Sequence, residues 1–314
     1  MDGRSAGRRS RHRSAPGQAD GMTSPVLVEG LHKTYSGVPA VAGLDLEIHA
    51  GEVFALLGPN GAGKTTTVEV LEGFRRRDGG RVEVLGEDPQ SAGLDWRQRL
   101  GIVLQSSRGL DLLTVREALA STAKVYRQPR DVDEVLEWVG LGEKRDARTA
   151  SLSGGQRRRL DVGMGIIGRP ELLFLDEPTT GFDPRARRDF WALIAGLAGD
   201  GTTIVLTTHY LDEAEQLADR VGVIAGGRML TVDTPAQLGG RHAQEATVSW
   251  REDGGVRTLS TAEPTAEVAR LAARFGGEVP ELVVARPTLE DTYLRLIEPH
   301  AVSVERPVVE EVAR

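Results

Sequence analysis

Nine residues near the start of the chain have the types and spacing of a phosphate-binding loop. The stretch Gly58–Thr66 reads GPNGAGKTT and matches Gly-x-x-x-x-Gly-Lys-Thr. Glycines let backbone N–H groups turn toward an anion, and the N-terminal end of a following helix adds positive potential. We expect Lys64 to reach the β- and γ-phosphates of a nucleotide and Thr65 to hold Mg²⁺. The alternative is a glycine turn ahead of an ordinary helix.

The residues on either side of this loop favour the phosphate-binding interpretation. An apolar run, Val53–Leu57, precedes the loop and predicts a buried strand. A helix-permissive run, Lys64–Glu72, follows it. A match to this motif indicates a phosphate-binding loop only in such a strand–loop–helix setting.

A second candidate site lies where another apolar run ends in two carboxylates. Leu172–Leu175 predicts a buried strand, and Asp176 and Glu177 follow it directly. Mg²⁺ prefers one or two carboxylates together with phosphate oxygens, so Asp176 is a candidate metal ligand. Glu177, one residue further on, is placed to orient an attacking water. A strand that ends in Asp-Glu is common, so this segment is a strong signal only in combination with the phosphate-binding loop.

A third segment, Leu152-Ser153-Gly154-Gly155-Gln156, predicts a second anion site at a helix start. Its hydroxyl and N–H groups lie in the same chain as the phosphate loop, and one chain cannot easily fold both sites onto one nucleotide. A head-to-tail dimer can, if each nucleotide lies between one subunit's phosphate loop and the other's serine–glycine turn. The alternative is a helix N-cap whose following arginines form a solvated face.

Taken together, these segments resemble the ATP-binding subunit of ABC transporters over about residues 26–238. The resemblance implies a P-loop NTPase fold with a helical subdomain, with ATP and Mg²⁺ as cofactors. It implies ATP hydrolysis coupled to transport. It also implies two partners, namely a second copy of the chain in an ATP-dependent head-to-tail dimer and a separate transmembrane permease.

Further family positions can be matched residue by residue. Tyr35 resembles the aromatic residue that stacks on adenine, and Gln105 resembles the Q-loop glutamine, which contacts Mg²⁺ or water. Asp183 lies in a segment that resembles the D-loop, where Phe182 replaces the usual leucine. His209 resembles the switch histidine that contacts the γ-phosphate.

The resemblance thus assigns three sets of site residues. The catalytic set is Glu177, His209, Lys64 and Gln105, and the metal set is Thr65, Gln105 and Asp176. The nucleotide-binding set is Tyr35, Gly58, Asn60, Gly61, Ala62, Gly63, Lys64, Thr65, Thr66, Ser153, Gly154, Gly155, Gln156 and Asp183. The acidic residues that follow the histidine, Asp212, Glu213 and Glu215, are predicted to form a solvated helix face.

Composition limits the classes of protein that fit. The 314 residues are 39% hydrophobic and include no cysteine, which excludes disulfide frameworks and zinc–thiolate sites. The formal net charge of −7, with an arginine-rich start and an acidic remainder, argues against a nucleic-acid partner. No window has the ~20 apolar residues of a membrane helix. We therefore expect a cytoplasmic protein, peripheral on the inner face of the cell membrane through its permease.

Strand and helix patterns alternate along the chain and predict an α/β fold. Continuous apolar strands suit a mostly parallel sheet covered on both faces, and the alternation in Leu44–Ile48 predicts an antiparallel β flap beside it. A small C-terminal α+β domain follows, ending in a helix over Pro287–Ile297 with Thr288 as N-cap and Asp291 at N3. The predicted organisation is a disordered Arg-rich tail (1–24), the ATPase domain (25–239), an accessory domain (240–298) and a flexible tail (299–314).

Two segments resemble the daunorubicin-resistance type of drug-export ATPase. These are Gly101–Leu119 and Pro287–Leu294. Together they predict an exporter of a hydrophobic drug or antibiotic, although related lipid and polysaccharide exporters share parts of these motifs. A soluble ABC-type ATPase without a permease is a further alternative. So is a nucleotide-gated module without turnover, which the presence of both Glu177 and His209 argues against.

Overall fold

A computed structural model describes residues 24–103 and 110–303 of the chain. The strands are β1 (Val26–Tyr35), β2 (Val38–Ile48), β3 (Val53–Leu57), β4 (Gly79–Val84), β5 (Leu100–Val103), β6 (Leu172–Asp176), β7 (Thr203–Thr207), β8 (Arg220–Ala225), β9 (Arg228–Asp233), β10 (Ala246–Glu252), β11 (Gly255–Thr261) and β12 (Val283–Ala285). The α-helices are α1 (Lys64–Leu71), α2 (Leu94–Arg97), α3 (Val115–Ala123), α4 (Val132–Trp138), α5 (Gly154–Ile166), α6 (Pro184–Gly199), α7 (Leu211–Leu217), α8 (Pro264–Phe275) and α9 (Leu289–Ile297).

The central sheet has the strand order β5-β6-β7-β3-β8-β9. Its first five strands are parallel, and β9 pairs antiparallel with β8 at one edge. All residues of β3 and β7 are buried, as the apolar runs predict for strands covered on both faces. The predicted α/β fold with a mostly parallel sheet is confirmed.

Alternate residues of β3 divide the interior into two cores. Phe54 and Leu56 pack toward the three-stranded antiparallel flap, whose strand order is β2-β1-β4. Val53, Ala55 and Leu57 pack on the other face against a core that includes α3–α7. This is the period-two alternation of a strand, and here both faces meet apolar partners. The phosphate-binding loop Gly58–Thr66, called the P-loop below, therefore follows a strand that is packed on both faces.

Residues 25–239, the predicted ATPase domain, are called the cassette below. Two elements of the cassette were not predicted from the sequence. Strand β9 has mostly partly buried residues, and its pairing is set by a hairpin turn at Gly226 and Gly227, both at positive φ. Helix α2 is a single turn held by Trp96, which is 1% exposed and donates its indole N–H to the carbonyl of Val84. Helix α2 is too short to carry a periodic signal, and burial along β9 does not alternate in the way that marks a half-buried strand.

The C-terminal segment contributes to two different cores. Strands β10, β11 and β12 form an antiparallel sheet whose buried face packs with Leu271 of α8. Helix α9 instead packs on the core of the ATPase region through Leu289, Tyr293 and Leu296. Its N-terminus has the predicted capping box, with Thr288 accepting from the N–H of Asp291 at 3.1 Å. The chain thus returns to the cassette after the small sheet.

The end of the chain departs from the predicted flexible tail at its first residues. Glu298–Ser303 forms a short 3₁₀ helix that continues from α9, since a last helical turn commonly tightens in this way. Among the described residues, no helix combines the length and apolar composition that a bilayer crossing requires.

Docking of α9 on the cassette makes a testable contribution to stability. Leu289 is 1% exposed, whereas Leu294, on the same helix, is 52% exposed. Leu289→Ala should lower the free energy of unfolding by about 2–5 kcal/mol, because it removes buried methyl groups and leaves a cavity. Leu294→Ala, the matched control, should change it by less than about 0.5 kcal/mol. Urea denaturation measures both, and equal effects would show that α9 does not contribute its buried face to the core.

Candidate functional site

The P-loop turns between two neighbouring backbones. A Cβ on Gly58 would lie 2.3 Å from the carbonyl oxygen of Ile224 in β8, and one on Gly63 would lie 2.4 Å from the carbonyl oxygen of Ala40 in β2. Gly61 and Gly63 have φ values of 79° and 103°, which side chains rarely tolerate. Glycine is therefore required both for space and for backbone conformation, and the loop is fixed between the flap and the central sheet.

Lys64 begins α1 and folds back over the loop. Its Nζ donates to the carbonyls of Gly58 at 2.6 Å and Pro59 at 3.1 Å. Burial lowers the pKa of Lys64, and the charges of Glu177 and Asp176 oppose that shift. Thr65 and Thr66 occupy the first turn of α1, where backbone N–H groups have no partner within the helix. The arrangement offers an ammonium group and free N–H groups to an anion.

The carboxylates of the second motif lie at the end of β6. Asp176 is its last residue and accepts a hydrogen bond from the hydroxyl of Thr207 in β7. Glu177 follows with φ 45°, an uncommon value for a residue with a side chain, and its N–H donates to the carbonyl of Thr207 at 3.0 Å. His209 lies beyond β7 with Nδ1 3.4 Å from a carboxylate oxygen of Glu177. Adjacent parallel strands thus bring these three residues together.

The serine–glycine turn caps α5 and faces a separate cavity. Ser153 Oγ accepts from the N–H of Gln156 at 3.3 Å, and Gln156 Oε1 accepts from the N–H of Ser153 at 3.0 Å. The cavity, about 380 Å³, is lined by Gly154 and Gly155 together with Asp183 of the D-loop. Its lining includes no residue of the P-loop. The chain therefore presents its two candidate anion sites in different places.

The D-loop residues are engaged within their own chain. Asp183 caps α6 by accepting from the N–H groups of Arg185 at 2.9 Å and Ala186 at 3.0 Å, and these bonds lower its pKa. Phe182, where the family commonly has leucine, is 7% exposed and packs edge-on against Phe190 with ring centroids 5.8 Å apart. The larger side chain is accommodated in the core of its own subunit.

The remaining predicted positions differ in how they are presented. Tyr35 ends β1 and is 37% exposed, and its ring centroid lies 5.2 Å from the guanidinium of Arg75. Asn60 and Gly61 are exposed on the loop, whereas Ala62 is 4% exposed and can offer only backbone atoms. Gln105 lies outside the described residues, so its assigned role stays a prediction.

The position of Glu213 differs from the one that its helix pattern predicts. It was predicted on a solvated helix face, yet it is fully buried, whereas Asp212 and Glu215 are exposed. Burial raises the pKa of Glu213, and the hydroxyls of Thr208 and Thr179 oppose that shift. Since Thr208 precedes His209 and Thr179 follows Glu177 by two residues, this carboxyl lies directly behind the candidate catalytic loops. A helical pattern alone treats every glutamate as solvent-facing and cannot reveal this.

Glu72, at the C-terminal end of α1, is a second residue that the motifs did not identify. Burial, followed by the charges of Asp176 and Glu69, raises its pKa from 4.5 to about 8. A neutral carboxyl group thus lies close to the candidate metal ligand at neutral pH. Its position after the last apolar residue of the helix carried no functional signal in the sequence.

Comparisons with known proteins agree with this geometry. A family model described as ABC transporter matches residues 41–180. The chain is similar to the daunorubicin/doxorubicin resistance ATP-binding protein of Streptomyces peucetius, with 43% identity over 221 residues, covering 69% of this chain and 67% of that protein. It is 37% identical over 300 residues to a daunorubicin resistance ATP-binding protein of Streptomyces coeruleorubidus, covering 86% and 95%.

Another relative and two solved structures broaden the comparison. The Nod factor export ATP-binding protein I of Rhizobium johnstonii is 38% identical over 302 residues, covering 88% of this chain and 96% of that protein. A dimeric ATP-binding cassette bound to ADP and phosphate has the same fold, with a TM-score of 0.61, 23% identity and coverage of 67% and 98%. An ABC transporter subunit from Clostridium perfringens gives a TM-score of 0.61, 28% identity and coverage of 68% and 90%.

The raised pKa of Glu72 predicts a specific pH dependence of stability. Between pH 4.5 and about 8 the unfolded chain loses the Glu72 proton while the folded chain keeps it, so this residue lowers stability progressively as pH rises. Below pH 4.5 both states are protonated, and above about 8 both are ionised, so the effect is then constant. Glu72→Gln should remove this decline and make the protein more stable than wild type at pH 8 and above.

Chemical denaturation from pH 5 to 9, with EDTA and without nucleotide, measures the effect. Glu278→Gln, at an exposed loop position, is the control and should leave the pH profile of the wild type unchanged. A wild-type profile in the Glu72→Gln variant would mean that Glu72 ionises normally in the folded chain.

Proposed function

Because the chain belongs to the family of ABC transporter ATP-binding proteins, we propose that it powers the export of a hydrophobic drug or antibiotic through a separate membrane permease. The chain is an ATPase of this family. The observation that carries the proposed mechanism is the convergence of the P-loop with Asp176, Glu177 and His209 at the carboxyl edge of one parallel sheet. Drug export is supported by relatives named for daunorubicin resistance.

The residues of the P-loop would bind the triphosphate. Its free N–H groups and the Lys64 ammonium match the β- and γ-phosphate oxygens in charge, and Lys64 would exchange its two carbonyl contacts for them. Tyr35 would stack on adenine with its exposed ring. The helix dipole of α1 adds to the attraction for phosphate. Binding thus uses positions that the fold already holds in place.

The donor set at the strand end fits Mg²⁺. The Thr65 hydroxyl and the Asp176 carboxylate are hard oxygen ligands, and Gln105 is a third candidate from the family resemblance. When bound, Mg²⁺ neutralises charge on the β- and γ-phosphate oxygens. Thr207, by donating to Asp176, would hold that carboxylate in the orientation the ion requires.

Hydrolysis would proceed by in-line attack of water on the γ-phosphate. ATP and water give ADP and phosphate, with the water proton released to the phosphate product or to solvent. Glu177 would orient and polarise that water, and His209 would contact the γ-phosphate from the neighbouring strand end. Glu177 has a left-handed backbone with φ 45°, and its carboxylate lies 3.4 Å from Nδ1 of the histidine.

Closure of the site would require a second copy of the chain. The serine–glycine turn and Asp183 line a cavity apart from the P-loop of the same chain, so they are free to meet the partner's nucleotide. ATP would then bind the closed dimer better than the open pair, and this difference in affinity drives closure. Loss of the γ-phosphate removes the bridge, and the dimer opens. We propose that this motion passes to the permease at the inner face of the membrane.

Export of a lipid or polysaccharide is the second candidate function. It is favoured by the Nod factor export relative, which covers 88% of this chain. The two candidates can be separated by producing the chain together with the membrane protein encoded beside it and preparing inside-out vesicles. ATP-dependent uptake of an amphipathic aromatic drug supports the first candidate, and uptake of a lipid or polysaccharide supports the second. If no permease is encoded nearby, a soluble ATPase becomes the better proposal.

Glu177→Gln should separate binding from turnover. The amide keeps the size of the side chain but cannot polarise water, so we expect ATP hydrolysis to fall by about 100-fold or more while ATP binding persists. Mg-ATP should then trap a dimer, seen by size-exclusion chromatography. Glu171→Gln, at the opposite end of β6, is the matched control and should hydrolyse ATP normally. Unchanged phosphate release by Glu177→Gln would remove this residue from its proposed role.

Ser153→Arg should block dimer closure without affecting the P-loop. The bulky cation would occupy the space where the partner's γ-phosphate is expected, so ATP binding by the monomer should stay within about twofold of wild type while the ATP-dependent dimer is lost. Ser151→Arg, at an exposed position two residues earlier, is the control. A normal dimer peak from Ser153→Arg with ATP would contradict the shared site.

A further inference from the structure

Three consecutive arginines on α5 point to three different places. Arg157 reaches Asp111 at 3.1 Å and the carbonyl of Thr149 at 2.8 Å. Arg159 reaches the carbonyl of Gly140 at 3.3 Å. Arg158 turns inward and is only 7% exposed. Since arginine is almost never buried without partners, the contacts of Arg158 need an explanation.

Arg158 donates to two backbone carbonyls at the end of β6. Its Nε–H donates to the carbonyl of Pro178 at 3.1 Å, and an Nη–H donates to the carbonyl of Asp176. Burial lowers the pKa of Arg158, but the charges of Asp161 and Asp176 oppose that shift. The planar guanidinium fork thus holds two points of backbone from one side chain.

The residue between these two carbonyls is Glu177. Its backbone is at φ 45°, an uncommon conformation for a residue with a side chain, which persists only where the surroundings impose it. The Glu177 N–H is held by Thr207 of β7, and Arg158 holds the carbonyls of the residues before and after it. Together these contacts fix the direction in which the Glu177 side chain leaves the chain.

Arg158 also connects this backbone to the serine–glycine turn. The turn opens α5 with Ser153 as its N-cap, and Arg158 follows Ser153 by five positions, which corresponds to about 7.5 Å along a helix axis. A helix of this length moves as a rigid unit. A displacement of its N-terminus on contact with the partner's nucleotide would therefore reach the carbonyls that flank Glu177.

We propose that Arg158 is a positioning residue that aims Glu177 and ties closure of one ATP site of the dimer to the readiness of the other. The first half concerns this chain alone. The second half rests on the proposed function, because it needs the shared sites of a head-to-tail dimer. Arg158 donates to the carbonyls of the residues on either side of Glu177, so we expect its effect on hydrolysis to pass through the position of Glu177.

The test compares Arg158→Gln and Arg158→Lys with Arg157→Gln as the matched control. A fluorescent ATP analogue measures nucleotide binding by the monomer, and phosphate release against ATP concentration gives kcat and the Hill coefficient. Arg158→Gln should bind within about twofold of wild type, while kcat falls about 10- to 100-fold, as expected for loss of hydrogen bonds from a charged group. Its Hill coefficient should fall from above 1 toward 1.

The two other variants test the chemistry of the side chain. Lysine keeps the charge but presents a single ammonium that cannot hold both carbonyls in one plane, so Arg158→Lys should lie between glutamine and wild type. Arg157→Gln should keep the wild-type kcat and Hill coefficient. Retention of both values by Arg158→Gln would overturn the proposal, as would parallel losses of binding and kcat.

A double-mutant cycle separates positioning from a general loss of structure. If Arg158 acts through Glu177, adding either Arg158 substitution to Glu177→Gln should reduce the residual rate by less than about twofold, since the group it aims is already disabled. Multiplying losses would overturn the proposal, and the lysine variant supports the same cycle if the glutamine variant does not fold. Absence of hydrolysis and of an ATP-dependent dimer in the wild type would instead sink the proposed function itself, together with the coupling.

Discussion

The close approach of three backbones at the P-loop is the constraint on which the rest of the site depends. Carbonyl oxygens from β2 and β8 occupy the space where side chains on Gly63 and Gly58 would lie. Glycine at these two positions therefore lets both neighbouring backbones approach the loop closely and hold it at one point. Because β3 is buried on both faces, this point has a fixed position relative to the neighbouring strand ends. The strand ends of the sheet thus set the positions of the loops that form the site.

The second layer of the site consists of buried charged groups that contact loops rather than ligands. Arg158 from α5 and Glu213 from α7 approach the segment after β6 from different helices. Each ionised group would be costly to bury alone, and each has polar neighbours in that segment. Burying these two charged groups lowers the stability of the cassette, and their contacts hold Glu177 and His209 in a defined arrangement. In such a site, a displacement of one helix also changes the positions of the carboxylates.

The C-terminal segment is joined to the ATPase region more closely than its composition implies. Arg241 pairs with Glu215 of α7 at 2.7 Å and donates to the carbonyl of Pro287 at 2.8 Å. Helix α9 adds Leu289 to the main core. The small sheet of β10–β12 is thus bordered on both sides by residues that contact the cassette. The division of the chain at residue 240 stays a prediction, and contacts across it join the two segments.

The family, the α/β fold, the P-loop and the order of the motifs could all be predicted from the residues alone. These features depend on local rules, namely glycine in left-handed turns, apolar runs for buried strands and Thr288 with Asp291 at a helix start. The burial of Glu213 and Arg158, the raised pKa of Glu72 and the packing of α9 on the cassette core became evident only from the three-dimensional packing. These properties depend on which distant segments cover a side chain. Local patterns treat a charged residue on a helix as solvent-facing, because the elements that enclose it lie far away along the chain.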